Sequence, residues 1–145
     1  MKVSTKGRYA LRMLLDLAEH KDAGFIALKE IAERQEISKQ YLEQIVSLLH
    51  TARILRTTRG KNGGYKLAVD PASCTVGQVL RITEGSLVPV ACLEDEINQC
   101  ERNGKCKTLP IWEGLNQTIT AYLDSISLQD ILEQKQERKA ESFAL

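Results

Sequence analysis

Residues 28–69 read LKEIAERQEISKQYLEQIVSLLHTARILRTTRGKNGGYKLAV, and this stretch decides the fold. Its first part has helical spacing: Leu28, Ile31 and Ala32 share one face, while Lys29, Glu30, Glu33 and Arg34 point outward. After the linker Gln35-Glu36-Ile37, Ser38 is placed to cap a second helix over residues 39–51. Leu42, Ile45, Val46 and Leu49 form the inward stripe of that helix. Two helices joined by so short a turn make a helix-turn-helix. The pattern then changes. Residues 54–58 and 65–69 carry β-branched or aromatic side chains in rough alternation, as strands do. Between them, Arg59-Gly60-Lys61-Asn62-Gly63-Gly64 is a glycine-rich basic turn, so the pair closes as a β-hairpin with a positive tip.

Outward from this stretch the chain stays helical. Ala10, Leu11, Leu14, Leu15, Leu17 and Ala18 give a helix over about residues 6–21, ended by Gly24. Thr75 and Gln78 form a capping box that opens a helix through Leu80 and Ile82, ending near Gly85. Cys74 stands before the capping threonine, where it can pack on Val79 as a hydrophobic staple, and is read as structural. Pro110 stands near the start of a long helix, a position that tolerates it. Ile111, Trp112, Leu115, Ile119, Tyr122, Leu123 and Ile126 keep one face of that helix apolar. A short helix from Ser127, with Leu128, Ile131 and Leu132 inward, precedes a frayed polar tail.

The expected fold class is mainly α with a small β-hairpin: a winged helix-turn-helix followed by a long dimerisation helix. Its parts are a DNA-binding domain over residues 1–85, a connector and cysteine loop over 86–109, a dimerisation helix and short terminal helix over 110–132, and a tail over 133–145. A chain this small cannot cover both faces of a five-turn helix, and operator readers pair to match the two-fold symmetry of DNA. A homodimer through Ile111, Trp112, Leu115, Ile119, Tyr122 and Leu123 is therefore expected.

The 145 residues suffice for one domain and its extension, and 43% hydrophobic content is enough for a core. No apolar run is long enough to span a membrane. Arg12 and Asp16 interrupt the N-terminal segment, so it does not read as a signal peptide. A cytoplasmic location follows as the expectation, and disulfides are disfavoured there.

The net charge is only +1, but its distribution is uneven. Lys39, Arg53, Arg56, Arg59, Lys61 and Lys66 face a single acid, Glu43, over residues 38–66; Lys2, Lys6, Arg8 and Arg12 have no acid beside them over residues 1–12. A basic face on a near-neutral protein suits a reader of double-stranded DNA. In the reading helix, Ser38, Lys39, Gln40 and Tyr41 are the candidates for base and phosphate contacts: glutamine suits adenine and lysine suits guanine. Arg59 and Lys61 at the hairpin tip suit the electronegative minor groove. Lys2, Ser4, Thr5 and Lys6 are candidates for phosphate contacts near the first helix. An enzyme has little support. There is no Ser/His/Asp or Cys/His arrangement, and Gly60–Gly64 opens no helix that could cradle a phosphate.

Cys92, Cys100 and Cys106 lie in C-x7-C-x5-C spacing, in a stretch with neither helical nor strand period. Clustered thiols in a reducing compartment bind a metal or do redox chemistry. Asn98, Asn103 and Gly104 permit tight turns among them.

The segments Ser4-Thr5-Lys6-Gly7-Arg8-Tyr9-Ala10, Tyr41-Leu42-Glu43-Gln44 and Arg59-Gly60-x-x-Gly63-Gly64-Tyr65 resemble hallmark segments of the iron–sulfur cluster regulator (IscR-like, Rrf-type) family of bacterial winged-helix transcriptional regulators. The resemblance covers about residues 1–132. It implies a homodimeric repressor whose long helix makes the dimer. It also implies that Cys92, Cys100 and Cys106 ligate an iron–sulfur cluster, 2Fe–2S in preference to 4Fe–4S. Family members without the cysteines include regulators of cysteine metabolism. Two departures bear on the fourth ligand. Leu109 stands where the resembling regulator has a histidine, and Arg8 stands where some relatives have an acid. The first cysteine gap is also longer here. The fourth ligand is thus unknown; Glu94, Asp95, Glu101, a partner-subunit residue, or an exogenous thiol or water are the candidates. A zinc site on the same cysteines, a cluster-free thiol switch and a small iron–sulfur carrier are the alternatives.

Overall fold

The computed structural model describes residues 1–134. Helix α1 (Thr5–Glu19) runs through the centre and packs against α2 (Leu28–Gln35), α3 (Lys39–Thr51) and α4 (Val76–Glu84). Strands β1 (Leu55–Thr58) and β2 (Gly64–Leu67) form the antiparallel hairpin, pairing Leu55 with Leu67 and Thr58 with Gly64. Helix α5 (Leu109–Asp124) follows the cysteine loop, and α6 covers residues 128–134. This is the winged helix-turn-helix order that the sequence predicts. The remaining tail, residues 135–145, lies outside the described residues.

Local signals set most boundaries. Ser38 Oγ accepts a hydrogen bond from the Tyr41 N–H at 3.2 Å, and Thr75 Oγ1 accepts from the Gln78 N–H at 3.1 Å. Both caps fall where the sequence puts them. Among the described residues no bond returns from the Gln78 side chain to the Thr75 N–H, so only the Thr75 half of the expected capping box is made. Helix α1 ends two residues early because His20 leaves helical geometry, and a short 3₁₀ turn, Lys21–Ala23, takes over. The first strand starts one residue later than expected, and the second starts one earlier and ends two earlier, yet the Ala68 N–H still donates to the Ile54 carbonyl at 2.8 Å. Gly64 is needed because any Cβ there would run into the Ile26 backbone, to which Tyr65 is bridged. That bridge anchors the hairpin to the segment before α2.

The main core gathers Met13, Leu14 and Leu17 of α1, Ile31 of α2, Leu42, Ile45 and Leu49 of α3, and Ile54, Val79 and Leu128. Each such side chain contributes about 1.5–3 kcal/mol by leaving water. Cys74 is fully buried among them with Val79, as a staple requires, and burial pushes its thiol pKa up. Leu128 is drawn in by its N–H bond to the Cys74 carbonyl at 2.9 Å. A smaller cluster of Val76, Leu80 and Leu87 is covered by Leu123, Ile126 and Ile131. The bidentate Arg81–Asp124 pair, at 2.8 and 2.9 Å, fastens α4 to α5 beside it. Ile126 therefore belongs to the inner cluster beyond the end of α5 rather than to the free face of that helix.

Candidate nucleic-acid interface and cysteine loop

The turn between α2 and α3 holds Glu36 in left-handed backbone geometry, at φ 56°, with Ile37 buried beneath it. A carboxylate-centred network fixes that turn. Asp16, on the buried side of α1, accepts from Arg34 Nε at 3.0 Å, Arg34 Nη2 at 2.7 Å and Gln35 Nε2 at 2.9 Å. Arg12 also donates to the Gln35 carbonyl and lies over the Tyr9 ring. Burial alone would push the Asp16 carboxyl up. The hydrogen bonds from Arg34 and Gln35, with the Arg34 charge, outweigh it and hold the pKa below the ordinary value. Sequence reading missed this network, treating Asp16 as an interruption and Arg34 as solvated. The available signal was a carboxylate between Met13 and Leu17 on the apolar side of α1.

The reading helix presents Lys39 and Gln40 to solvent. Ser38 is exposed; its Oγ accepts the capping bond from the Tyr41 N–H, and its O–H can still donate. Tyr41 is half-buried, edge-on to Tyr9 at 5.5 Å, so its ring braces α3 against α1. Arg59 and Lys61 stand exposed on the hairpin tip, where Gly60 takes a φ of 108°. Lys39 and Arg59 line a common open cleft of about 570 Å³ between the reading helix and the wing.

The N-terminal candidates divide. Lys2 is exposed and Lys6 half-buried, while Thr5 Oγ1 accepts from Arg8 at 3.1 Å. Ser4 caps α1, and its hydroxyl donates to Glu84 Oε1 at 2.6 Å, with its N–H donating to the same oxygen at 3.0 Å. Glu84 closes α4, immediately before the connector to the cysteines. The N-terminal end of α1 is thereby tied to the root of the cysteine loop.

That loop is built from short-range turns. The Cys100 N–H donates to Asn98 Oδ1 at 2.8 Å, and the Asn103 side chain donates to the Asn98 carbonyl at 3.0 Å. Cys92 and Cys106 are half-buried and Cys100 is exposed. Cys106 Sγ lies 3.3 Å from Thr108 Oγ1, and this contact, aided by nearby backbone groups and Arg102, lowers its pKa. Among the described residues, no three His, Cys, Asp or Glu side chains are gathered as metal ligands. Three thiols are the right donor chemistry for an iron–sulfur cluster, but this loop conformation does not assemble them. Glu94, Asp95 and Glu101 are exposed on the same loop, and Arg8 on α1 is occupied with Thr5.

None of residues 88–126 is buried in the single chain. Along α5, Ile111, Leu115 and Tyr122 are 59%, 42% and 64% exposed, while Trp112 and Ile119 are half-buried. Leu123 turns inward onto Val76 and Leu80. No described helix is long and apolar enough to cross a membrane.

A family model described as Rrf2, iron-dependent transcriptional regulator, matches residues 3–134. The chain belongs to the Rrf2 family. A Neisseria meningitidis HTH-type transcriptional regulator is 40% identical over 135 residues, covering 93% of this chain and 90% of the relative. The solved structure of IscR from T. potens matches with a TM-score of 0.75 at 38% identity, covering 95% of this chain and 90% of that one. CymR, the global cysteine regulator of B. subtilis, matches with a TM-score of 0.75 at 36% identity, covering 92% of this chain and 98% of that one. This Rrf2 chain is thus a DNA-binding transcriptional regulator with a winged helix, and not an enzyme. Its relatives carry both the IscR and the CymR names.

Two substitutions test the wing of this Rrf2 regulator. Arg59→Ala is expected to weaken duplex binding. Lys61→Ala is expected to lower the slope of log affinity against log salt by about one unit, as for one lost phosphate contact. Fluorescence anisotropy across a salt series reads both, and wild-type affinity and slope in both variants would remove the wing from the interface.

Proposed function

We propose that this Rrf2 regulator works in the cytoplasm as a homodimeric repressor on a two-fold operator. The signal is iron–sulfur, iron or redox status, sensed through a 2Fe–2S cluster held by Cys92, Cys100 and Cys106. One observation carries the sensor reading: the three thiols are concentrated in a segment with no fully buried residue, whose hydrogen bonds among the described residues run to near neighbours in the chain. Such a segment rearranges at small cost, and ligand binding can supply the energy that orders it. A bound cluster would supply chemistry that responds to iron and oxidants at the foot of α5. The chain does the rest. Asn98 and Asn103 shape the turn, Thr108 steadies Cys106, and Glu84 and Arg81 connect the loop root to α1 and α5. Coupling of this kind between two sites is typically worth about 1–3 kcal/mol, or about 5–150-fold in operator affinity.

A second reading, a cluster-free thiol switch on the same fold, is favoured by the ungathered thiols and by the Cys106–Thr108 contact. Anaerobic purification with iron, acid-labile sulfide and absorption spectra separates the two. The cluster reading expects a coloured protein that loses its spectrum in Cys100→Ala. Colourless protein with stoichiometric zinc, or no metal at all, sinks it. A change in DNA affinity on mild oxidation of metal-free protein, absent in Cys106→Ala, would then support the switch.

A further inference from the structure

The cleft between the reading helix and the wing contains a cation that the sequence reading left on a solvated face. Lys29 of α2 lines it together with Lys39 of α3 and Arg59 of the wing. A single carboxylate, Glu43, shares the cleft. Some cations elsewhere on the molecule are used internally: Arg34 is held by Asp16, Arg81 by Asp124, and Lys66 lies over the Phe25 ring. Among the described residues, Lys29, Lys39 and Arg59 enter no ion pair. Three cations converging from three elements on one open cleft repel one another, and an anion entering between them relieves that repulsion.

We infer that Lys29 is a further phosphate ligand, and that Lys29, Lys39 and Arg59 together grip the phosphodiester backbone of one strand of duplex DNA running through this cleft. The inference rests on the DNA-binding reading and deepens it by naming the path of the backbone. The ligand class follows from the site. The cleft is open and about 570 Å³, larger than a single phosphate needs, and it is continuous with the exposed start of α3. The Thr57 hydroxyl in its wall is already donated to the Gly64 carbonyl at 3.2 Å, while Thr58 and Tyr65 line the cleft beside the charged groups. Gly60 and Gly63 keep the wing side free of bulk, so a strand can approach the backbone there. Contacts of this kind position the protein on any duplex and carry no base information.

The test uses the full chain and a fluorescein-labelled mixed-sequence duplex of about three helical turns, long enough for two half-sites a turn apart. Anisotropy is followed over a salt series for wild type, Lys29→Ala and Lys29→Arg. One phosphate contact adds about 0.9 to the magnitude of the salt slope. Lys29→Ala should therefore be shallower by about 0.9 and, at 0.1 M salt, bind about eightfold more weakly. Lys29→Arg should keep the wild-type slope. Because Lys29 is exposed, the melting temperature serves as a control and should not move. A wild-type slope and affinity in Lys29→Ala overturns the inference while leaving DNA binding intact. A wild-type protein with no salt-dependent duplex binding overturns the DNA-binding reading itself, and this inference with it.

Discussion

Arg34→Ala is expected to lower the unfolding free energy at neutral pH by about 3 kcal/mol, near the lower end for a broken buried pair. The Asp16 side chain is 1% exposed and the Arg34 side chain 35% exposed. Removing the arginine leaves a carboxylate in the core with Gln35 as its remaining strong side-chain donor. Asp16→Leu removes the buried charge instead, and Arg34 then turns its exposed side to water; its cost should be only about 1 kcal/mol, the net worth of an ordinary hydrogen-bonded pair. The asymmetry has a pH signature. In wild type the folded pKa of Asp16 is depressed, so its contribution is present above the unfolded value of about 3.9 and is lost as pH falls through the folded value. In Arg34→Ala burial dominates and raises the folded pKa. The variant is then penalised increasingly as pH rises above about 4. Urea unfolding at several pH values reads both effects. Equal losses in Arg34→Ala and Asp16→Leu, or a difference that does not grow with pH, would refute the account. Because the pair sets the turn ahead of the reading helix, lost DNA affinity should accompany lost stability.

Leu115→Asp is expected to give a folded monomer and to cut affinity for a selected two-half-site operator by at least about 100-fold. The factor is that of a second binding event that no longer occurs within one complex. Ile111, Leu115 and Tyr122 recur at helical spacing on a face the single chain leaves uncovered. A buried aspartate would have no partner in a self-complementary interface, where it meets its own copy or near copies. Sedimentation velocity gives the mass and anisotropy the affinity. A dimer of Leu115→Asp with wild-type operator binding would place the assembly surface elsewhere. Tyr122→Asp provides a second, independent lesion on the same face.

Much of the architecture is legible in the chain because its signals are short-range. The stripe Leu42, Ile45, Val46 and Leu49, the Ser38 and Thr75 caps, and the glycine-rich turn before Tyr65 all act within one or two turns of chain. Periodicity and capping are properties of neighbours three or four residues apart. The same logic fails where an ordinary residue has a distant partner. Asp16 and Arg34 are 18 positions apart, and Ser4 and Glu84 are 80 apart. Ser4 reads as a phosphate ligand until its hydroxyl is seen on Glu84. Leu123 reads with the dimer face until the α4–α5 pairing turns it onto Leu80.

The sequence by itself determined the helix-turn-helix, the basic wing, the apolar helix after the cysteines and the concentration of thiols between them. Residue type and spacing are enough to specify how a chain pairs with itself locally. Only the tertiary structure decided which charges are free to meet DNA and which are spent inside. It brought Lys29, Lys39 and Arg59 to one cleft, took Arg34 and Arg81 into internal pairs, and left Cys92, Cys100 and Cys106 not gathered as a set of metal ligands. The physical reason is that a charged or thiol side chain acquires its role from the partners and the burial that packing gives it, and packing joins residues whose separation along the chain carries no period to read.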